Sequence, residues 1–199
     1  MAVKPATTDA EYTARLSSLG GVWWKRALDV QAPYRWNLRR LELGFTLDIG
    51  CGLGRNLKHL GGRGVGIDHN RASIEFARAR GLDAYVPDEF ELTKFNRPGS
   101  FDSLLLAHVV EHMTEQDAVG LLQRYERLLK PNGRVVLITP QQRGFDSDPT
   151  HVHFTDFEAL RRIAKRCGLA TLKQYSFPLP LVFGRVFKYN EFVSISVKP

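Results

Sequence analysis

Four of the six histidines fall in two short segments, His108-Val109-Val110-Glu111-His112 and His151-Val152-His153. Imidazoles and a carboxylate at this spacing suit one of two kinds of chemistry. In the first, His108, Glu111, His112 and His151 or His153 bind a divalent metal. A strand end and the turn after it can point the first three into one space. Such a metal lowers the pKa of a bound hydroxyl and orients the oxyanion. Magnesium prefers oxygen ligands, so several imidazoles favour manganese, iron, cobalt or zinc. Manganese and magnesium are the first ions to try. In the second reading there is no metal. His108 or His151 is then a general base, because an unperturbed imidazole titrates near neutrality, and Glu111-His112 simply opens the next helix. His59 stands apart. It lies near the end of a predicted helix, where a positive group is favourable, and reads as structural.

A second group of residues binds rather than reacts. The run Leu47-Asp48-Ile49-Gly50-Cys51-Gly52-Leu53-Gly54 ends an apolar stretch in a loop with three glycines. Such a loop turns tightly and lets a ligand approach the backbone. A dinucleotide fold places its third glycine one position later, where this chain has Arg55. Asp48 at the strand end repels a diphosphate and welcomes a cation. S-adenosylmethionine (SAM) has a sulfonium and an amino group and no phosphate. Asp68 ends the next strand, twenty residues after Asp48. A carboxylate there can accept hydrogen bonds from both hydroxyls of a ribose.

These residues need a scaffold, and the chain alternates strand and helix from residue 45 onward. Predicted strands are 45–49, 64–68, 84–86, 101–107, 134–139, 169–177 and 192–197. Predicted helices are 53–60, 71–80, 114–129 and 155–167. Thr114 and Thr155 are the expected caps, with Glu158 completing a capping box. Pro131-Asn132-Gly133 reads as a turn. Short apolar strands between helices mean a mostly parallel sheet covered on both faces. Ligands then sit outside the carboxyl ends of the strands, where the informative residues lie. Upstream, 1–8 reads as a tail and 9–19 as a short helix. Residues 22–43 read as aromatic-rich helix broken at Pro33. The expected division is 1–44 as tail and helical cap of the same domain, and 45–199 as the main body.

At this point the sequence resembles the class I SAM-dependent methyltransferases. The resemblance covers about 45–197. It is carried by the loop Asp48 to Gly54, by Asp68, by Phe101-Asp102-Ser103-Leu104-Leu105-Leu106 and by Leu128-Leu129-Lys130-Pro131-Asn132-Gly133-Arg134. It implies a Rossmann-like α/β fold whose seven-stranded sheet has its last strand antiparallel. It also implies that Gly50 and Gly52 pack on the cofactor, that Asp68 binds its ribose, and that Asp88 or Glu89 meets its adenine. The expected cofactor-binding set is Asp48, Gly50, Cys51, Gly52, Asp68, His69, Asp88 and His108. The His108-x-x-Glu111-His112 element is similar to the Glu-x-x-Glu-His element of ubiquinone-pathway O-methyltransferases and small-RNA 2′-O-methyltransferases. Here His108 replaces the first Glu, which removes one oxygen ligand.

Composition narrows the partners. The chain has 199 residues, 43% of them apolar and 25% charged, with a net charge of +7. This is an ordinary globular mixture with room for one core. The basic excess suits an acidic partner: nucleic acid, an anionic small molecule or an anionic lipid surface. No apolar run is long enough to cross a bilayer, and 1–9 lack the apolar stretch of a secretory signal. Cys51 and Cys167 form no framework, which suits a reducing cytoplasm. The leading expectation is an O-methyltransferase acting on a small-molecule hydroxyl. An RNA 2′-O-methyltransferase, a non-catalytic SAM-binding regulatory partner and a nicotinamide dehydrogenase are the alternatives. No RNA-binding module is visible. The aromatic stretch 23–36 and Pro178 to Phe183 are candidate lids over the acceptor, with core packing as the alternative reading.

Overall fold

The computed structural model describes Asp29 and residues 31–199. The predicted helix 9–19 and the aromatic pair Trp23 and Trp24 lie outside the described residues. The elements in order are α1 (Ala32–Arg40), β1 (Thr46–Ile49), α2 (Arg55–His59), β2 (Gly64–Ile67), α3 (Arg71–Arg78), β3 (Ala84–Tyr85), α4 (Pro87–Glu91) and β4 (Phe101–Ala107). A 3-10 turn (Val110–His112) leads to α5 (Glu115–Glu126), β5 (Leu129–Pro140), α6 (Gln142–Phe145), α7 (Phe157–Arg166) and β6 (Ala170–Phe177). A second 3-10 turn (Leu181–Arg185) precedes β7 (Glu191–Val197).

The strands form one sheet in the order β3-β2-β1-β4-β5-β7-β6. Pairings from β3 to β5 are parallel. β7 runs antiparallel to both β5 and β6, as the resemblance implies. The order reverses between β1 and β4, so a crevice opens beyond their carboxyl ends.

Side-chain alternation explains why helices cover both faces. Along β4, Leu104 and Leu106 face one core, which α5 and α7 close with Leu122, Leu160 and Ile163. Leu105 faces the other core, with Val136, Ile138 and Val193, and α1 closes that side with Leu38. Every residue of β1 and β2 is buried, as strands covered on both faces require. Among the described residues, no helix is long and apolar enough to cross a membrane.

Local differences from the sequence reading have physical causes. Pro33 stands at the start of a helix, and what precedes Asp29 lies outside the described residues. The proline opens α1 from the first turn, where its missing N–H is no loss. The expected turn at Pro131-Asn132-Gly133 lies within β5. Phe101 pairs with Leu129 and Ser103 with Arg134, so the intervening residues bulge, and Asn132 takes a φ of 60°. Asparagine tolerates that left-handed conformation. Pro87 starts the short helix α4, in a stretch with no predicted element. Thr114 caps α5 as expected, accepting from Asp117 N.

Thr155 does not cap α7. Its hydroxyl donates to the carbonyl of His153 at 3.1 Å, and Asp156 takes the cap, accepting from Ala159 N at 3.0 Å. A carboxylate at a helix N-terminus also meets the helix dipole favourably. Asp156→Ala is therefore expected to cost about 1 kcal/mol in urea denaturation, the usual worth of an N-cap. Glu158→Ala should cost only a few tenths. The reverse ranking would return the cap to Thr155 and its capping box.

Candidate active site

The glycine loop closes tightly on the sheet. Gly50 N and Cys51 N both donate to the Ile67 carbonyl, at 2.7 and 3.0 Å, which fastens the end of β1 to the end of β2. Gly50, Gly52 and Gly54 have φ of 76°, 51° and 76°. A Cβ on Gly50 would lie 2.4 Å from Val109 Cγ2, so the glycine lets the segment after β4 approach. A Cβ on Gly52 would meet nothing within 4 Å. Gly52 therefore borders open space, and only its backbone conformation demands glycine there.

Asp68 pins this loop from β2. Its Oδ2 accepts from Gly52 N and its Oδ1 from Asn70 N, both at 2.8 Å. His69 is exposed, with Nδ1 3.7 Å from Asp68 Oδ1. Beyond β3, Glu89 is held by Arg71 and Arg78 at 2.7 and 2.5 Å, while Asp88 stays exposed in the first turn of α4. Of the two acids expected near an adenine, Asp88 alone is not engaged by an arginine. Cys51 is buried, and burial pushes its thiol well above the ordinary range.

Asp48 has no exposed surface, and neither carboxylate oxygen meets a well-aligned hydrogen-bond donor among the described residues. Burial raises its pKa to about 7, although the neighbouring Asn56 amide and the Arg55 charge work against the shift. His59 is also buried. Burial and the charges of Arg55, Arg35 and Arg39 lower its pKa to about 4. It therefore does not supply the positive group expected at the end of α2. It is structural for a different reason, as a neutral ring in the core.

The second group forms where β4 ends. His108 takes a φ of 60°, unusual for a residue with a side chain. This turns its ring between two carboxylates. Nε2 is 2.9 Å from Glu191 Oε1, and Nδ1 is 3.2 Å from Glu111 Oε1. Burial alone would lower its pKa, but the pairing with Glu111 and Glu191 raises it to about 10. Both ring nitrogens of His108 are thus engaged by carboxylates.

Glu111, His112 and His151 come together with their ligand atoms within 4.8 Å of one another. His108 and His153 lie outside this group. His153 Nε2 is buried without a hydrogen-bond partner among the described residues. The loop after α6 reaches the site because Val152 N and His153 N donate to the Glu111 carbonyl at 2.8 and 3.2 Å. His151 Nδ1 lies 2.7 Å from the Phe145 carbonyl. His112 Nδ1 lies 3.2 Å from the Thr150 carbonyl. Carbonyls only accept, so in each neutral ring Nδ1 carries the proton and Nε2 keeps a lone pair. The Thr150 hydroxyl, also 3.2 Å from His112 Nδ1, donates to Asp148 Oδ1 at 2.7 Å, which leaves it an acceptor too. Glu111 is fully buried, and neither oxygen has an aligned donor.

Sequence reasoning missed Glu191, at the start of β7. It is an isolated acid with no motif around it, and only the β5–β7 register brings it opposite Pro140 at the catalytic edge. The lid candidates are partly placed. Tyr34 and Trp36 of α1 pack on Phe177, while Leu181, Val182 and Phe183 point into solvent.

The strand order, with a glycine loop held by Asp68 beyond β1 and β2, is the fold of solved SAM-dependent methyltransferases. Residues 47–137 match the family described as "Methyltransferase domain". A protein named ubiquinone biosynthesis O-methyltransferase from Bradyrhizobium diazoefficiens is 28% identical over 164 residues. That match spans 67% of this chain and 63% of the relative's length. A SAM-dependent methyltransferase from Archaeoglobus fulgidus shares the fold with a TM-score of 0.67 at 21% identity, covering 88% of this chain and 98% of that one. So does a magnesium protoporphyrin IX methyltransferase from Synechocystis PCC 6803 with bound SAH, with a TM-score of 0.68 at 13% identity over 98% of both chains.

The buried acid Asp48 makes a pH prediction. Unfolded, its carboxyl ionises near 3.8, and folded near 7. Between those values the folded state holds the extra proton, so this group's contribution to stability falls as pH rises. Asp48→Asn has no proton to lose. In urea denaturation of the ligand-free protein, stability of the variant relative to wild type should rise by a few kcal/mol, roughly, from pH 4 to 7. A difference that stays flat across that range rules out the shifted carboxyl.

Proposed function

We propose that this chain transfers the methyl group of SAM to a hydroxyl of a small-molecule acceptor, with a divalent metal held by Glu111, His112 and His151. The observation that carries the metal is the hydrogen-bonding of the two histidines. Each gives its Nδ1 proton to a backbone carbonyl. That is how metal-ligating imidazoles are oriented in proteins. Beside them, the buried carboxylate of Glu111, met by His108 at Oε1, keeps Oε2 without an aligned donor. Two imidazoles and one carboxylate suit manganese, iron, cobalt or zinc better than magnesium. Bound there, a metal supplies Lewis acidity that lowers the pKa of the acceptor hydroxyl.

The rest is done by this chain's own residues. SAM supplies an electrophilic methyl on its sulfonium. We assign Asp68 to its ribose hydroxyls, the open backbone at Gly52 to its close approach, and Asp88 to its adenine. The acceptor oxygen attacks the methyl carbon, the carbon–sulfur bond breaks, and the hydroxyl proton leaves to solvent. Hydroxyl specificity draws support from the names of the O-methyltransferase relatives. A metal-free reading keeps one observation in its favour: His151 is only partly buried and its Nε2 is open, as a general base requires.

Two experiments test these assignments. Asp68→Ala should weaken S-adenosylhomocysteine binding by about 2 kcal/mol, roughly thirtyfold, for two lost hydrogen bonds. Unchanged affinity by calorimetry removes the ribose role. Manganese, then magnesium, is titrated into metal-stripped protein saturated with S-adenosylhomocysteine. Stoichiometric manganese binding, lost in His112→Ala and in His151→Ala, is expected. No binding overturns the metal and leaves His151 as the base. A screen of catechols and vicinal diols then tests the acceptor class.

A further inference from the structure

The segment 178–190, between β6 and β7, presents apolar side chains outward. Val182 and Val186 are 75% and 73% exposed, and Leu181, Phe183 and Tyr189 about half. Trp36, stacked near Phe177 at the start of the segment, is also exposed. Single exposed apolar residues need no explanation, but a contiguous group marks a surface that meets something. The segment contains no Asp or Glu, while it does contain Arg185 and Lys188. Both cations are exposed, as is Arg143 on α6, which packs beside the 3-10 turn.

The loop is held in this pose from below. Buried Asn190 accepts from Leu179 N at 2.9 Å and donates to Gln141 Oε1 and Ser176 Oγ, both at 3.0 Å. The Tyr34 hydroxyl donates to the Tyr189 carbonyl at 2.7 Å. Gly184 is pressed against the Gln141 side chain, where a Cβ would not fit. A network fixed at its base keeps the apolar tip turned outward.

We propose that this loop docks the protein on an anionic lipid bilayer. Leu181, Val182, Phe183 and Val186 enter the headgroup–acyl boundary. Arg185, Lys188 and Arg143 meet the lipid phosphates, and Trp36 and Tyr189 sit at the interfacial level. Charge chooses this occupant over a second copy of the chain. Each copy carries +7, and a shared patch would set these cations against their own kind. The inference does not depend on which acceptor is methylated.

The test is co-sedimentation of the full chain with sonicated vesicles. Phosphatidylglycerol–phosphatidylcholine vesicles should bind it at low salt and release it as salt rises. Val182→Ser with Phe183→Ser should abolish binding. Arg185→Gln with Lys188→Gln should weaken it more than about tenfold. All four positions are at the surface, so thermal midpoints should match wild type and show that the variants fold. Absence of binding to anionic vesicles overturns the proposal. So does equal binding to pure phosphatidylcholine, or binding that the substitutions leave intact. A lipid-free dimer in light scattering, broken by Val182→Ser with Phe183→Ser, would assign the patch to a second copy instead.

Discussion

Glu111 has no exposed surface, and an ionised carboxylate in such a place costs several kcal/mol, roughly, unless charge answers it. His108 answers it from one side at ion-pair distance. To do so the chain takes a left-handed conformation at the last turn of β4, which few residues with a side chain tolerate. The ring is shared with Glu191, so one imidazole lies between two carboxylates, one from the 3-10 turn after β4 and one from β7. That unit welds the end of β4 to the start of β7. It also fixes where Glu111 points, and the whole reacting edge is organised around that direction.

From Glu111 the arrangement spreads through the backbone. Its carbonyl draws in the loop at Val152 and His153. That loop brings His151 beside His112, with ring centroids 4.8 Å apart. Each ring is then oriented by a carbonyl, and Phe145 stacks on His151. The rotational freedom of both imidazoles is thus removed before any ligand arrives. Preorganisation of this kind lets modest groups act strongly.

The binding edge follows the same logic with opposite means. There the backbone is cleared rather than filled. Gly50 admits the segment after β4, Gly52 leaves space, and Asp68 holds the loop through its amide. Asp48 lies beneath as a second buried acid, mostly protonated below neutrality, and so less costly than a full charge. The two edges meet where Val109 touches Gly50, one residue beyond His108.

The fold class, the order of elements and the glycine loop were legible in the residues alone. Each is local: alternating apolar strands, capping residues, and glycines at positions of positive φ are readable one window at a time. The bulge at Asn132 and the cap at Asp156 were readable only in part. Neighbouring residues competed for those roles, and tertiary hydrogen bonds chose between them. Which histidines belong together depends on contacts distant in sequence. His108, His112, His151 and His153 look equivalent in sequence. They differ because β7 brings Glu191 to His108, and because carbonyls at 145 and 150 reach the other two rings. Those partners come from elements 38 to 83 residues away for His112 and His108, and no local pattern encodes such a distance.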